Sequence, residues 1–410
     1  MGVAKKLTAS QARGNRKFLY SWGVGTVGQL GDGLVANRSF PQLINQQQWI
    51  AVGVSNAAPG TTANSAAMAI GTDGFLYTWG TPGPQIGREI NRSSPVQIGS
   101  SSWTSIAAGT SHSLAVRNDG LLFAWGDNRT NGRLGDNTLI TRQSPVQIGS
   151  SSWTSIAAGA GHSLAVRNDG LLFAWGLSNS GQIGDGNAIS RSSPVQIGSS
   201  SWTSIAAGSN HNLAIRNDGL LFAWGFSGNG EIGDGTIINR SSPVQIGSSS
   251  WTSIAGGLNH SLAVRNDGLL FAWGGGIGQI GDGTIIARSS PVQIGSSSWT
   301  SVAAGSNHSL AVRNDGLLFA WGNGTSGQIG DGTIISRSSP VQIGSSSWTS
   351  IRAGGNHSLA VRNDGLLFAW GINSFGTLGN NDSVVYPKKA FDSFVAIGAG
   401  SGFALAIQAA

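Results

Sequence analysis

The chain has 410 residues, 64 of them glycine, with only 10% charged residues and no cysteine. The low charge excludes a charge-driven disordered chain, and so much glycine suits short strands joined by tight turns. Without cysteine there can be no disulfide, zinc–thiolate site or thiol nucleophile.

The formal net charge of +6 invites a nucleic-acid reading, but the excess is local. Residues 1–17 hold Lys5, Lys6, Arg13, Arg16 and Lys17 and no acid, leaving nineteen cations against eighteen anions in the rest. We read residues 1–17 as a basic assembly arm, and expect nucleic-acid contact only through it. This stretch lacks the apolar core of a secretory signal, and Lys6 stands where myristoylation wants Ser or Thr. Apolar runs such as "LLFAW" are too short to span a bilayer, so no membrane insertion is expected.

Residues 17–48, "KFLYSWGVGTVGQLGDG…FPQLINQQQ", read as the back part of a repeat whose front is missing. From Trp49 onward a pattern "SSSWTSIAAGxxHSLAVRNDGLLFAWG" recurs, its first Trp returning at Trp103, Trp153, Trp202, Trp251, Trp299 and Trp348. An eighth equivalent, Phe394, opens a unit that stops before any "LLFAWG". Residues 394–410 supply 17 positions and residues 18–48 supply 31, together one normal repeat of 48. A closed ring needs such a split, because pairing the two chain ends in one unit locks it.

Within a unit "TSIAAG", "HSLAV", "LLFAW" and "PVQIG" read as four strands, and "RNDG" between two apolar runs is a hairpin signal. Proline is tolerated at a strand start or an edge. Four strands per unit in a ring define a β-propeller blade. The expectation is an all-β propeller of eight four-stranded blades (seven as the alternative count). It forms a single domain over 18–410, its last blade built from 394–410 plus 18–48. Leu114, Val116, Leu122 and Phe123, with their copies, should fill the space between blades.

The segments "IAAGTSHSLAV" (106–116), "GLLFAWG" and "GQIGDGT" resemble the repeats of the regulator of chromosome condensation family over residues 18–410. The resemblance implies a propeller and admits several functions. One is nucleotide exchange on a small GTPase with chromatin binding, in a member with seven blades and an inserted wedge. Here the count is eight, and no unit is long enough for such a hairpin. A second, ultraviolet sensing as in a plant photoreceptor, uses a Gly-Trp-Arg-His-Thr motif that this sequence lacks. Third, near-identical runs such as "SSPVQIGSSSWTSIAAG" are similar to bacteriophage repeat proteins. That likeness implies a virion, tail or attachment role, with other virion proteins or a host-surface component as partners. The leading expectation is this non-enzymatic structural role in a virion. The alternative is a cytoplasmic interaction propeller that regulates a small GTPase or binds chromatin.

No catalytic, cofactor or metal site is expected. His112, His162, His211, His260, His308 and His357 occur once per blade and cannot converge on one ion. Each is expected to hydrogen-bond backbone in its own or a neighbouring blade. Trp125, Trp175, Trp224, Trp273, Trp321 and Trp370 are assigned to blade packing. The "NDG" aspartates belong to turns and the "GDG" aspartates to loops, on separate blades, so neither set pairs for acid–base work.

Two loops differ between copies: the pair before each His, and the segment after each "WG". Strands in a blade run up and down, so both loops fall on one face and the uniform "NDG" turns on the other. We expect the variable face to bind a partner, with Arg129, Arg133, Phe226, Leu258 and Phe375 as its distinctive residues.

Overall fold

The computed structural model describes residues 17–54, 66–80, 92–373, 378, 384–391, 394–399 and 403–409, all strand, turn or loop without helix. The repeating element is a long strand shared by two blades. In Arg142–Ala158 the first half pairs with Leu121–Gly126 as the outer strand of one blade. The second half pairs with His162–Arg167 as the inner strand of the next. Gly149, at φ 65°, sits where the strand leaves the outer edge. A Cβ there would meet nothing within 4 Å, so the positive φ is what calls for glycine.

Seven such strands divide the described chain into eight antiparallel blades, numbered here in chain order from Trp49. Blade 8 is the split one. Phe394–Ala399 pairs with Phe403–Ala409, which pairs with Lys17–Gly23 from Lys17 opposite Ala409 to Gly23 opposite Phe403. Lys17–Gly23 then pairs with the first half of Arg38–Val54. Lys17 is therefore the first residue of the sheet, while Lys5, Lys6, Arg13 and Arg16 lie outside the described residues.

The apolar residues pack between blades. Leu114, Leu122 and Ala124 of blade 2 meet Trp153, Ala165 and Trp175 of blade 3 in one buried cluster, and the pattern repeats around the ring. Blade 8 closes it on both sides: Trp22, Phe394 and Ala404 pack on Leu359 and Trp370 of blade 7, while Leu19, Phe403 and Leu405 pack on Trp49 and Trp79 of blade 1.

The "RNDGLLFAWG" hairpin has a job for nearly every letter. Arg167 pairs with Asp169 at 2.6 Å and lies 4.8 Å over the Phe173 ring. Asp169 Oδ1 accepts from Leu171 N at 3.1 Å, shaping the turn. Phe173 meets Trp153 edge-on at 5.3 Å, and Trp153 in turn lies 6.5 Å from Trp175. Such aromatic pairs add about 0.5–1.5 kcal/mol each beyond their buried area.

If the split blade closes the ring as firmly as any other, Leu405→Ala and Leu262→Ala should cost alike. Both side chains are fully buried, and each loss should be about 2–5 kcal/mol. Urea unfolding of the two variants checks this; a much smaller effect at Leu405 would mean a frayed closure.

Candidate recognition face

Backbone hydrogen bonds sort the turns onto two faces. On one, the hairpin tip meets the blade-to-blade link: Trp153 N donates to Gly120 O at 2.8 Å, and Asn168 N to Ser152 O at 2.9 Å. On the other, the two variable loops meet: Asp127 N donates to Ser111 O, and Phe226 N to Asn210 O, both at 2.9 Å. Both variable loops thus lie on one side of the ring.

The second half of each described long loop changes little, because it holds the next blade. Gln182 O, in the loop of blade 3, accepts from Asn212 Nδ2 at 2.8 Å and from Trp224 Nε1 at 3.0 Å, both on blade 4. Gly184, at φ +86°, lies flat on Trp224, where a Cβ would come within 2.8 Å of the indole nitrogen. Glu231 O and Gln279 O serve Ser261 with Trp273, and Ser309 with Trp321, in the same way. The "GDG" aspartate then ties its loop down through Arg, as in Asp234–Arg240 at 2.5 Å.

The histidines extend this contact, and their partner is not the backbone that the sequence suggested. His112 Nε2 lies 2.8 Å from Ser163 Oγ of the next blade. The Ser163 hydroxyl proton is committed to Arg133 O at 2.9 Å, so its oxygen accepts from His112 Nε2–H. In blade 4 the acceptor is Asn212 Oδ1, 2.7 Å from His162 Nε2, which fixes the same tautomer. His211, His260 and His308 pair likewise with Ser261, Ser309 and Ser358. The correction has a simple reason: the backbone there is engaged in the ladder, while the residue after each His faces the preceding blade. The series ends at His357, because blade 8 carries Ala404 where blades 2–7 carry Ser or Asn, and His357 Nε2 is left without a partner.

Burial drives these imidazoles far below their ordinary pKa, to about 3 in His112, His260 and His308 and to about 4 in His162, His211 and His357. They are neutral and sealed from solvent, and all but His357 serve as structural hydrogen-bond donors.

The inner strands end in a funnel of about 370 Å³ on the variable face, lined by the "AAG" ends of six blades, from Ala108–Thr110 round to Ala353–Gly355. No titratable side chain lines it. Among the described residues no three His, Asp or Glu side chains come together as metal ligands.

Of the expected surface residues, Arg129 stands out, its side chain 75% exposed and paired with Asp127 at 2.8 Å. Leu258 is 37% exposed and reaches the funnel, and Phe226 is half-buried. Phe375 lies outside the described residues. Arg133 must be withdrawn: it is 8% exposed, because it fills the place that Gln182 takes in the next loop. Its Nη2 donates to Thr130 Oγ1 at 3.3 Å, and desolvation lowers its pKa. The sequence carried that signal in the alignment of "GRLGD" with "GQIGD". One residue was overlooked. Arg352 stands on an inner strand where five other blades have Ala, its Nη1 donating to Ile351 O at 2.8 Å, with its pKa lowered by the protein around it. Its signal was the single departure of "SIRAGG" from "SIAAG".

These features define an eight-bladed propeller whose described loops grip the following blade. The chain belongs to the RCC1-like domain family: that family's model matches residues 10–284, and regulator of chromosome condensation (RCC1) repeats match 267–312, 315–361 and 364–407. No curated protein sequence matches it. Among solved structures it is similar to human WBSCR16, with 20% identity and a TM-score of 0.65, over 96% of this chain and 98% of that one. It is similar also to Prp20p from Saccharomyces cerevisiae, with 20% identity and a TM-score of 0.66, over 99% and 96%. At these identities the likeness is one of fold.

The histidines make stability depend on acid. Their folded pKa values lie below the unfolded value of about 6.5, so the unfolded chain binds protons that the folded ring refuses. Stability is full above about pH 6.5 and falls as pH drops toward 4, by up to ~1.4 kcal/mol per pH unit for each of the six. His211→Gln should keep a donor to Ser261 and lower the proton uptake on unfolding by one, read from urea midpoints against pH. Ala404→Ser should give His357 an acceptor and raise stability by about 0.5–1.5 kcal/mol.

Proposed function

We propose that the protein is a non-enzymatic protein-interaction propeller of a cell, binding its partner through the variable loop face. One observation carries this reading: the two faces are built differently. The turn face repeats the same self-neutralised Arg–Asp pair from Arg117–Asp119 to Arg362–Asp364. The loop face varies while its anchoring half stays fixed. A rigid scaffold with variation confined to one set of loops is how binding surfaces are commonly carried.

The comparisons support the cellular form of this reading over a virion role. The human and yeast structures are cellular proteins, and Prp20p is described together with its binding to Gsp1p and histones. The virion reading, with tail or host-surface partners, has only the near-identity of the repeats behind it. The shared fold makes a small GTPase or a histone the first partner to try.

The test is partner capture from the source lysate, with mass spectrometry, using three forms of the full chain. The loop-face variant Arg129→Glu/Phe226→Ala/Leu258→Ser should lose roughly tenfold or more of the bound partner. The turn-face variant Arg216→Ser/Asp218→Ser should retain it. A partner held equally by all three forms would sink the assignment of the face. Capsid or tail proteins in place of cellular ones would return the virion role. If a small GTPase is captured, its nucleotide release is measured with and without the ring.

A further inference from the structure

The variable face carries bulky apolar side chains in water. Just after each "GDG" the chain presents two bulky aliphatic residues to solvent: Ile237–Ile238, Ile285–Ile286 and Ile334–Ile335 are 57–72% exposed. Two further blades carry Leu139–Ile140 and Ala188–Ile189 at the same place, and blade 8 exposes Leu34 and Val35 one position earlier, where Thr236 and Ile237 stand; these Leu, Val and Ile are 53–60% exposed. In the five blades that share this register the second member is always Ile (Ile140, Ile189, Ile238, Ile286 and Ile335), while the next position varies among Thr141, Ser190, Asn239, Ala287 and Ser336.

Folding does not account for these side chains. The loop is held by its Asp–Arg pair, by Asp234 Oδ1 accepting from Thr236 N at 3.0 Å, and by Thr236 Oγ1 accepting from Ile238 N at 3.3 Å. None of these bonds uses an Ile side chain. The pairs sit on the variable face, since Gly276 and Gly324 of the variable segments pack directly on the backbone at Ile285–Ala287 and Ile335. Together they expose on the order of 1,000 Å² of apolar surface. Summed over the six separate pairs, that matches the ~800 Å² per partner of a standard stable interface.

We propose that this crown is the interface for a second copy of the chain, the two rings meeting face to face about a two-fold axis. Two observations select this occupant. The apolar pairs recur once per blade around a ring, so a compact partner covers only one or two of them. A surface that meets them all needs the same rotational repeat, which the same crown on another copy has. A two-fold contact also requires a self-complementary patch, and an apolar one satisfies that without matching charges. In addition, the charges nearest three of these Ile pairs are compensated within their own loops, by Asp234–Arg240, Asp282–Arg288 and Asp331–Arg337. Two crowns therefore bring no unpaired charge together beside those pairs. The inference goes beyond the partner-binding reading and does not depend on it, although self-association would cover the same face.

Sedimentation velocity on the purified full chain, with no partner present, tests it. The wild type should show a concentration-dependent dimer. Ile237→Lys/Ile238→Lys/Ile285→Lys/Ile286→Lys should weaken self-association by roughly a hundredfold or more, with circular dichroism and melting temperature unchanged, because the side chains are exposed. A second set, Ile334→Ser/Ile335→Ser with Leu139→Ser/Ile140→Ser, should act in the same direction. A wild type that stays monomeric at its highest soluble concentration would overturn the proposal. So would a dimer unaffected by both sets. Flotation of a monomeric wild type with phosphatidylcholine–phosphatidylserine vesicles, lost in the lysine variant, would overturn it in favour of lipid. Any of these results leaves the lysate experiment to be judged separately, since that one substitutes Arg129, Phe226 and Leu258.

Discussion

One backbone carbonyl in each of four successive loops organises the described ring. Gln182 O, and its counterparts at Glu231, Gln279 and Gln328, receives two hydrogen bonds from the following blade, one from Ser or Asn and one from Trp Nε1. To present that carbonyl the loop must pass flat over the Trp ring, which is why glycine follows two residues later. The same bond consumes the Ser proton and so fixes the tautomer of the preceding blade's histidine. Trp burial, loop path and His orientation are thus one coupled arrangement, with each buried hydrogen bond worth about 1 kcal/mol net and costly to leave half-made.

That arrangement divides labour within the long loop. Its second half is occupied in holding the next blade and changes little. Its first half touches little and is free to differ, which concentrates diversity on one face without cost to the ring. Where the anchoring half does change, the replacement still fits: Glu231 stands in for Gln, its carboxylate accepting from Asn229 N and Nδ2, both at 2.8 Å. The pattern is thinnest at ring closure, where blade 8 has Phe403–Ala404 and blade 1 has Ala66–Ala67 in place of the His–Ser pair and apolar packing takes over.

Much of this was legible in the letters. Strand order, the "RNDG" hairpin, the blade count and the split closing blade follow from period and from local turn chemistry, which act over a few residues. The two-face division followed from counting strands. The histidine partner was not legible, because the Ser that receives His112 lies fifty-one residues away. "HS" reads as a neighbour pair, when each Ser answers the His of the preceding blade. Arg133 was placed on the surface on the strength of its charge, although its position in "GRLGD" is that of a buried Gln. The exposed Ile pairs escaped because an apolar dipeptide in a strand-rich sequence is normally read as core.

The sequence by itself determined an eight-unit β ring, since identical units with matching apolar faces have nowhere to bury them except against one another. Tertiary structure alone decided which atoms join the units, which loop half is fixed, and which aliphatic residues stay in water. Those outcomes depend on contacts between residues about fifty positions apart, and on the side of each loop that the following blade leaves uncovered.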